Sequence, residues 1–104
     1  MTVSMDFEEN EVRALSELTG SLAGQRILEI GCGDGRLTWR YASQAAQVVA
    51  IDTNSDLVAR AQQNLPSDLK DRVTFHAVGL QEFAAQDSPE PRQPFDLVLL
   101  AYSL

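Results

Sequence analysis

A chain of 104 residues is at most one domain, and its 44% hydrophobic and 22% charged content is that of a folded globular protein, not a disordered one. A net charge of −7 with a pI near 4.4 argues against a nucleic-acid phosphate backbone as partner. No run approaches the ~20 apolar residues of a membrane span, the start has no basic signal-peptide character, and a lone cysteine allows neither an intrachain disulfide nor a cysteine-cluster metal site. A cytoplasmic chain without metal or membrane partner is therefore expected.

Residues 1–20 set Phe7, Val12, Leu15 and Leu18 at helical spacing among many acids, which predicts an amphipathic helix that Gly20 can end. Glu8, Glu9 and Glu11 form its solvated face. Residues 27–35 then read Ile-Leu-Glu-Ile-Gly-Cys-Gly-Asp-Gly. An apolar burst carrying one carboxylate, Glu29, runs directly into Gly31, Gly33 and Gly35. The pattern predicts a buried strand ending in a turn where backbone approaches a ligand, because glycine tolerates positive φ and has no Cβ. Residues 36–42 look helical, which sets the loop at a helix N-terminus with free backbone donors. A tight strand-to-helix turn with no ligand would use the same glycines. Cys32 reads as a small side chain filling the loop, since the sequence shows no partner to activate it. Arg36 is either a contact for a ligand carboxylate or an exposed residue at the helix start.

Residues 47–51 are a second short apolar strand ending on Asp52, 21 residues beyond Gly31. That interval is close to the one at which a second-strand carboxylate meets ribose hydroxyls, and an acid there can accept two hydrogen bonds from a vicinal diol. Asp-Thr-Asn-Ser is equally a turn or helix cap. Asn54 or Ser55 can cap a helix through about Asn64, with Leu57, Val58 and Ala61 on one face, and Leu65-Pro66-Ser67 stops it. Residues 72–78 predict a third strand leading into Gly79-Leu80-Gln81-Glu82-Phe83. His76, the single histidine, falls inside that strand pattern and is given a structural or exposed role. Pro89, Pro91 and Pro94 make residues 84–94 an exposed loop with at most a short helix. Residues 94–102 form a fourth strand, apolar on both faces from 97 to 100.

The loop spacing Glu-x-Gly-x-Gly-x-Gly departs from the dinucleotide fingerprint, whose third glycine falls one position later than Gly35. With Asp52 and the later strands, it resembles the class I S-adenosylmethionine-dependent methyltransferases, from about residue 25 to the C-terminus. The fold expected is α/β, a Rossmann-like doubly wound parallel sheet truncated after the fourth strand, in order 3-2-1-4. Residues 1–24 are then an N-terminal helix and linker, and residues 25–104 the cofactor-binding half. The resemblance implies S-adenosylmethionine as cofactor. Glu29 would meet the amino end of its methionine moiety, often through water. Gly31, Cys32, Gly33 and Gly35 would pass close to the methionyl and ribose parts, Asp52 would bind the ribose hydroxyls, and Thr53 would border the adenine. Many relatives carry an aspartate where Gly79 stands, to bond the adenine amine. Here a backbone contact from Leu80, with its side chain against the adenine face, is expected instead. Tyr102, at the end of the fourth strand, is the candidate for the methyl-transfer pocket. Ala101-Tyr102-Ser103-Leu104 lacks the Asn/Asp-Pro-Pro-aromatic segment of the amino-methyltransferases that act on DNA bases, which argues against that class.

Three further expectations follow. The fourth strand would be an unpaired edge, inviting self-association or a second chain. The sheet face opposite the crossover helices would have only the 84–94 loop for cover, leaving a half-domain that is marginal alone. The leading function is methyl transfer to a small-molecule acceptor, with the acceptor and any catalytic base unassigned. The alternatives are a non-catalytic module that binds the cofactor or a partner, and a nicotinamide-dependent oxidoreductase, which Asp52 permits and the glycine spacing disfavours.

Overall fold

Short β-rich apolar runs separated by glycine, asparagine and proline signals pair here into a single parallel sheet. The computed structural model describes the backbone of residues 2–6, 22–86 and 94–102, and the side chains of residues 22–86 and 94–101. In chain order the elements are β1 (Thr2–Asp6), β2 (Arg26–Ile30), α1 (Thr38–Tyr41), β3 (Gln47–Ile51), α2 (Ser55–Gln63), β4 (Val73–His76), α3 (Leu80–Ala85) and β5 (Leu97–Tyr102). A 3-10 turn, Ser67–Leu69, follows the proline that stops α2. The sheet order is β1-β5-β2-β3-β4, with every pairing parallel. The four strands predicted from sequence correspond to β2, β3, β4 and β5 and take the expected order 3-2-1-4.

Two expectations about the first residues and the fourth predicted strand are corrected. Residues Thr2–Asp6 are a strand, not the start of a helix. Thr-Val-Ser-Met-Asp alternates polar and apolar residues with period two, and the helical spacing begins only at Phe7. The predicted helix positions Phe7, Val12, Leu15 and Leu18 lie outside the described residues. The second correction follows from the first. β1 pairs with β5 in register from Thr2 opposite Val98 to Asp6 opposite Tyr102, so the fourth predicted strand is not an open edge. Its ladder is completed by the same chain, which removes the stated reason for self-association there.

Alternation along β2 sets up the two faces. Ile27 and Glu29 turn to the side packed by α1 and α2, where Ile27, Val48, Leu99, Leu37, Tyr41 and Val58 belong to the larger apolar cluster. Leu28 turns to the other side with Val49, Ile51 and Phe83. That second face is therefore covered by more than a loop: Phe83 comes from α3, and Phe95 packs against the cluster beside it. Full burial of such side chains contributes about 1.5–3 kcal/mol each.

The helix after the glycine loop is shorter than the 36–42 expected. Gly35 has φ +92°, and Leu37 offers no side-chain cap, so regular α-helix starts only at Thr38. α2 behaves as predicted: Asn54 is its N-cap, accepting from the Leu57 N–H at 3.1 Å. At the N-terminal ends of the strands, Arg26 and Asp96 exchange bonds. The Arg26 N–H donates to Asp96 Oδ2, and the Asp96 N–H to the Arg26 carbonyl, both at 2.8 Å. The Arg26 guanidinium also donates to Gln47 Oε1 at 2.7 Å and lies over the Phe95 ring. These contacts tie β2, β3 and β5 together at the end of the sheet opposite the glycine loop.

Candidate functional site

In a parallel sheet the carboxyl ends of all strands open on one edge, and ligands bind where the strand order reverses. Here the reversal lies between β2 and β5, and the glycine loop leaves β2 at that point. Gly31 shows how close the fit is. Its φ is +85°, and a Cβ on it would overlap the carbonyl oxygen of Ala101 near the end of β5. The Gly31 and Cys32 amides both donate to the Ile51 carbonyl, at 2.8 and 3.1 Å, so the loop remains fastened to β3. At Gly35 a Cβ would come within 2.7 Å of the Trp39 ring. Trp39 in turn packs edge-on against Phe75.

Asp52 is the second anchor. Its Oδ2 accepts the Gly33 N–H at 2.9 Å, and its Oδ1 accepts the Asn54 N–H at 2.8 Å. The carboxylate is thus held by one amide of the loop and one of its own turn. Each oxygen keeps a further lone pair, so acceptors remain for a diol. Thr53 is exposed beside it, and a Cβ placed on Gly79 would stand 3.5 Å from Thr53 Cγ2. The end of β3 and the start of α3 therefore adjoin. Leu80 is the exposed large hydrophobic side chain among the described residues, at 48%. Gly79 caps α3 without a side-chain bond, as the missing acid requires.

Glu29 lies deeper. It is fully buried, its Oε1 accepting the Thr38 hydroxyl at 2.9 Å and the Tyr41 hydroxyl at 2.5 Å. Its Oε2 is buried with no hydrogen-bond partner among the described residues. Burial pushes its pKa from 4.5 up to about 7, opposed by the hydrogen bonds from Tyr41 and Thr38, while the charge of Asp52 raises it further. Burial and the Glu29 charge push the Tyr41 hydroxyl well above its usual range. The Cys32 thiol is raised in the same way, first by burial and then by Glu29 and Asp52. A thiol so held is neutral, in keeping with the packing role read from sequence.

The structure thus brings Gly31, Cys32, Gly33, Gly35, Asp52 and Thr53 to the carboxyl ends of β2 and β3, with Leu80 just past β4. The backbone of Tyr102 ends β5, and its side chain lies outside the described residues. His76 is exposed on β4, and Arg36 is exposed and paired with Asp34 at 3.3 Å. Sequence reasoning missed Thr38 and Tyr41. The one signal for them is a pair of polar groups, three residues apart, on a helical stretch whose other inward positions are apolar. Among the described residues no three metal-ligating side chains come together, and no helix is long and apolar enough to cross a membrane.

Comparison with known proteins agrees with this geometry. A family model described as "Methyltransferase domain" matches residues 27–104. A magnesium-protoporphyrin O-methyltransferase of Rhodobacter capsulatus is 40% identical over 62 residues, covering 60% of this chain and 28% of that protein. A 23S rRNA (uracil(1939)-C(5))-methyltransferase of an Enterobacter species is 39% identical over 75 residues, covering 72% of this chain and 17% of that protein. Among solved structures, the magnesium protoporphyrin IX methyltransferase of Synechocystis PCC 6803 with bound S-adenosylmethionine superposes with a TM-score of 0.66 at 25% identity, covering 88% of this chain and 42% of that one. The chain spans less than a third of the length of these two curated relatives. With residues 27–104 matched and the strand order, glycine loop and second-strand acid in place, the chain belongs to the class I S-adenosylmethionine-dependent methyltransferases.

Proposed function

We propose that this chain is the cofactor-binding part of a methyltransferase that takes S-adenosylmethionine in the crevice between the glycine loop, Asp52 and Leu80. The observation that carries the reading is the cross-link between Gly33 and Asp52. It fixes a carboxylate with spare acceptors beside a loop whose glycines leave no side chain in the way. Asp52 would hold the ribose diol, Thr53 and Leu80 would flank the adenine, and Glu29 would take the amino end of the methionine moiety. When bound, the sulfonium supplies an activated methyl carbon for in-line displacement by an acceptor nucleophile. The protein's contribution is then to orient that carbon and to exclude water. A base is called for only where the acceptor must lose a proton.

The acceptor we favour is a small molecule. Relatives include an enzyme named for a magnesium porphyrin and one named for 23S rRNA, and the net charge of −7 here disfavours a polyanion. Calorimetric titration with S-adenosylhomocysteine tests the cofactor reading. Asp52→Ala should weaken binding by a few kcal/mol at most, through loss of charge-assisted hydrogen bonds. No binding by the folded chain would overturn the reading. The second reading is binding without turnover. Full affinity with no methyl transfer to any small-molecule acceptor would identify that case. The nicotinamide alternative loses support to the family match, and NADH binding that the sulfonium cannot displace would restore it.

A further inference from the structure

Glu29 is an acid with no exposed surface on the central strand of the sheet. Its two oxygens are treated differently: Oε1 receives both Thr38 and Tyr41, while Oε2 receives nothing among the described residues. The two donors stand three residues apart on α1 and so share a face of the helix that directly follows the glycine loop. Leaving a buried carboxylate oxygen unpaired is costly, so that oxygen should meet either a proton or a cation. The titratable groups that bear on Glu29 are Tyr41 from α1, Cys32 from the loop and Asp52 from the end of β3. None of these described groups is a cation, which leaves a bound ligand as a source of positive charge for that oxygen.

We propose that Thr38 and Tyr41 are positioning residues. By fixing Oε1 they hold Glu29 so that Oε2 carries a proton in the ligand-free protein and the ammonium of the cofactor's methionine end in the complex. Binding the cofactor therefore expels a proton to solvent, and occupancy of the crevice depends on pH. The inference rests on the cofactor reading above. The upward shift of Glu29 to about 7 places the effect in the neutral range, and the Tyr41 and Thr38 bonds, which lower that value, make it adjustable.

Titration of the chain with S-adenosylhomocysteine at pH 6, 7 and 8, in two buffers of different ionisation heat, counts the protons released. Release should be close to one at pH 6 and small at pH 8, with affinity about tenfold weaker at pH 6 than at pH 8. Tyr41→Phe removes only the hydroxyl, so the midpoint should move to higher pH. Its affinity relative to the unaltered chain should fall several-fold at pH 7 and recover at pH 9. Thr38→Val should behave alike, and Thr38→Ser should restore the original profile. 5′-Methylthioadenosine, which lacks the ammonium, should release no proton and ignore both hydroxyl deletions. Proton-neutral binding of S-adenosylhomocysteine would overturn the proposal, as would an equal loss of affinity at every pH in Tyr41→Phe and Thr38→Val. Failure of both nucleosides to bind would instead overturn the cofactor reading on which the proposal rests, and the proposal with it.

Discussion

A carboxyl group whose pKa is higher folded than unfolded makes stability fall as pH rises, and Glu29 is such a group. Its pKa moves from 4.5 to about 7, chiefly by burial. Below 4.5 it is protonated in both states and its contribution is complete. Between 4.5 and 7 the unfolded chain ionises while the native one keeps its proton, so the contribution shrinks, and above 7 it is gone. The shift corresponds to about 3 kcal/mol. Glu29→Gln cannot titrate, so urea unfolding should show the variant gaining on the unaltered chain by an amount of that order between pH 4.5 and pH 8. A constant difference across the series would show that Glu29 does not titrate with folding. At Gly31 the expectation is steric. Alanine would need φ near +85° and would meet the Ala101 carbonyl, so Gly31→Ala should cost at least about 2 kcal/mol by the same measurement. A loss below about 0.5 kcal/mol would mean that the loop relaxes away from β5.

Among the elements, α2 offers the cleanest local test. Its cap is a single bond from the Leu57 N–H to Asn54 Oδ1, and the Asn54 N–H that supports Asp52 belongs to the backbone. Asn54→Ala should therefore cost about 1 kcal/mol of stability while leaving that backbone bond in place. An unchanged unfolding midpoint would show that the cap is worth nothing here. The elements that were legible in the sequence share this locality. Short apolar runs marked β2, β3, β4 and β5, the Asn54-Ser55 pair marked the start of α2, and three glycines with one acid marked the loop. The shortness of α1 was not legible, because it follows from the backbone conformation of Gly35 and the missing cap at Leu37. The partnership of Thr38 and Tyr41 with Glu29 was hidden for a different reason. It joins residues nine and twelve positions apart through the turn of the loop, and no repeat in the sequence encodes that meeting.

At the scale of the whole molecule, the least local contact is also the one that sequence reading got wrong. β1 lies 96 positions from its partner in β5, and only the folded sheet brings them together. The arrangement answers a physical problem. β5 is apolar on both faces, with Leu97 and Leu99 in one cluster and Val98 packed on the other, and as an outermost strand it would present an unpaired backbone row beside that surface. Among the described residues β1 is the outermost strand on that side, five residues long, in which Thr2, Ser4 and Asp6 alternate with Val3 and Met5. A short, polar edge is a poor template for a further strand. Removing residues 1–6 should expose the β5 ladder. Light scattering should then report a mass that grows with protein concentration for the shortened chain, beyond any growth shown by the 104-residue chain under the same conditions. If both chains gave the same mass at every concentration, β1 would not be what protects β5, and the cover of that edge would have to be sought elsewhere in the molecule.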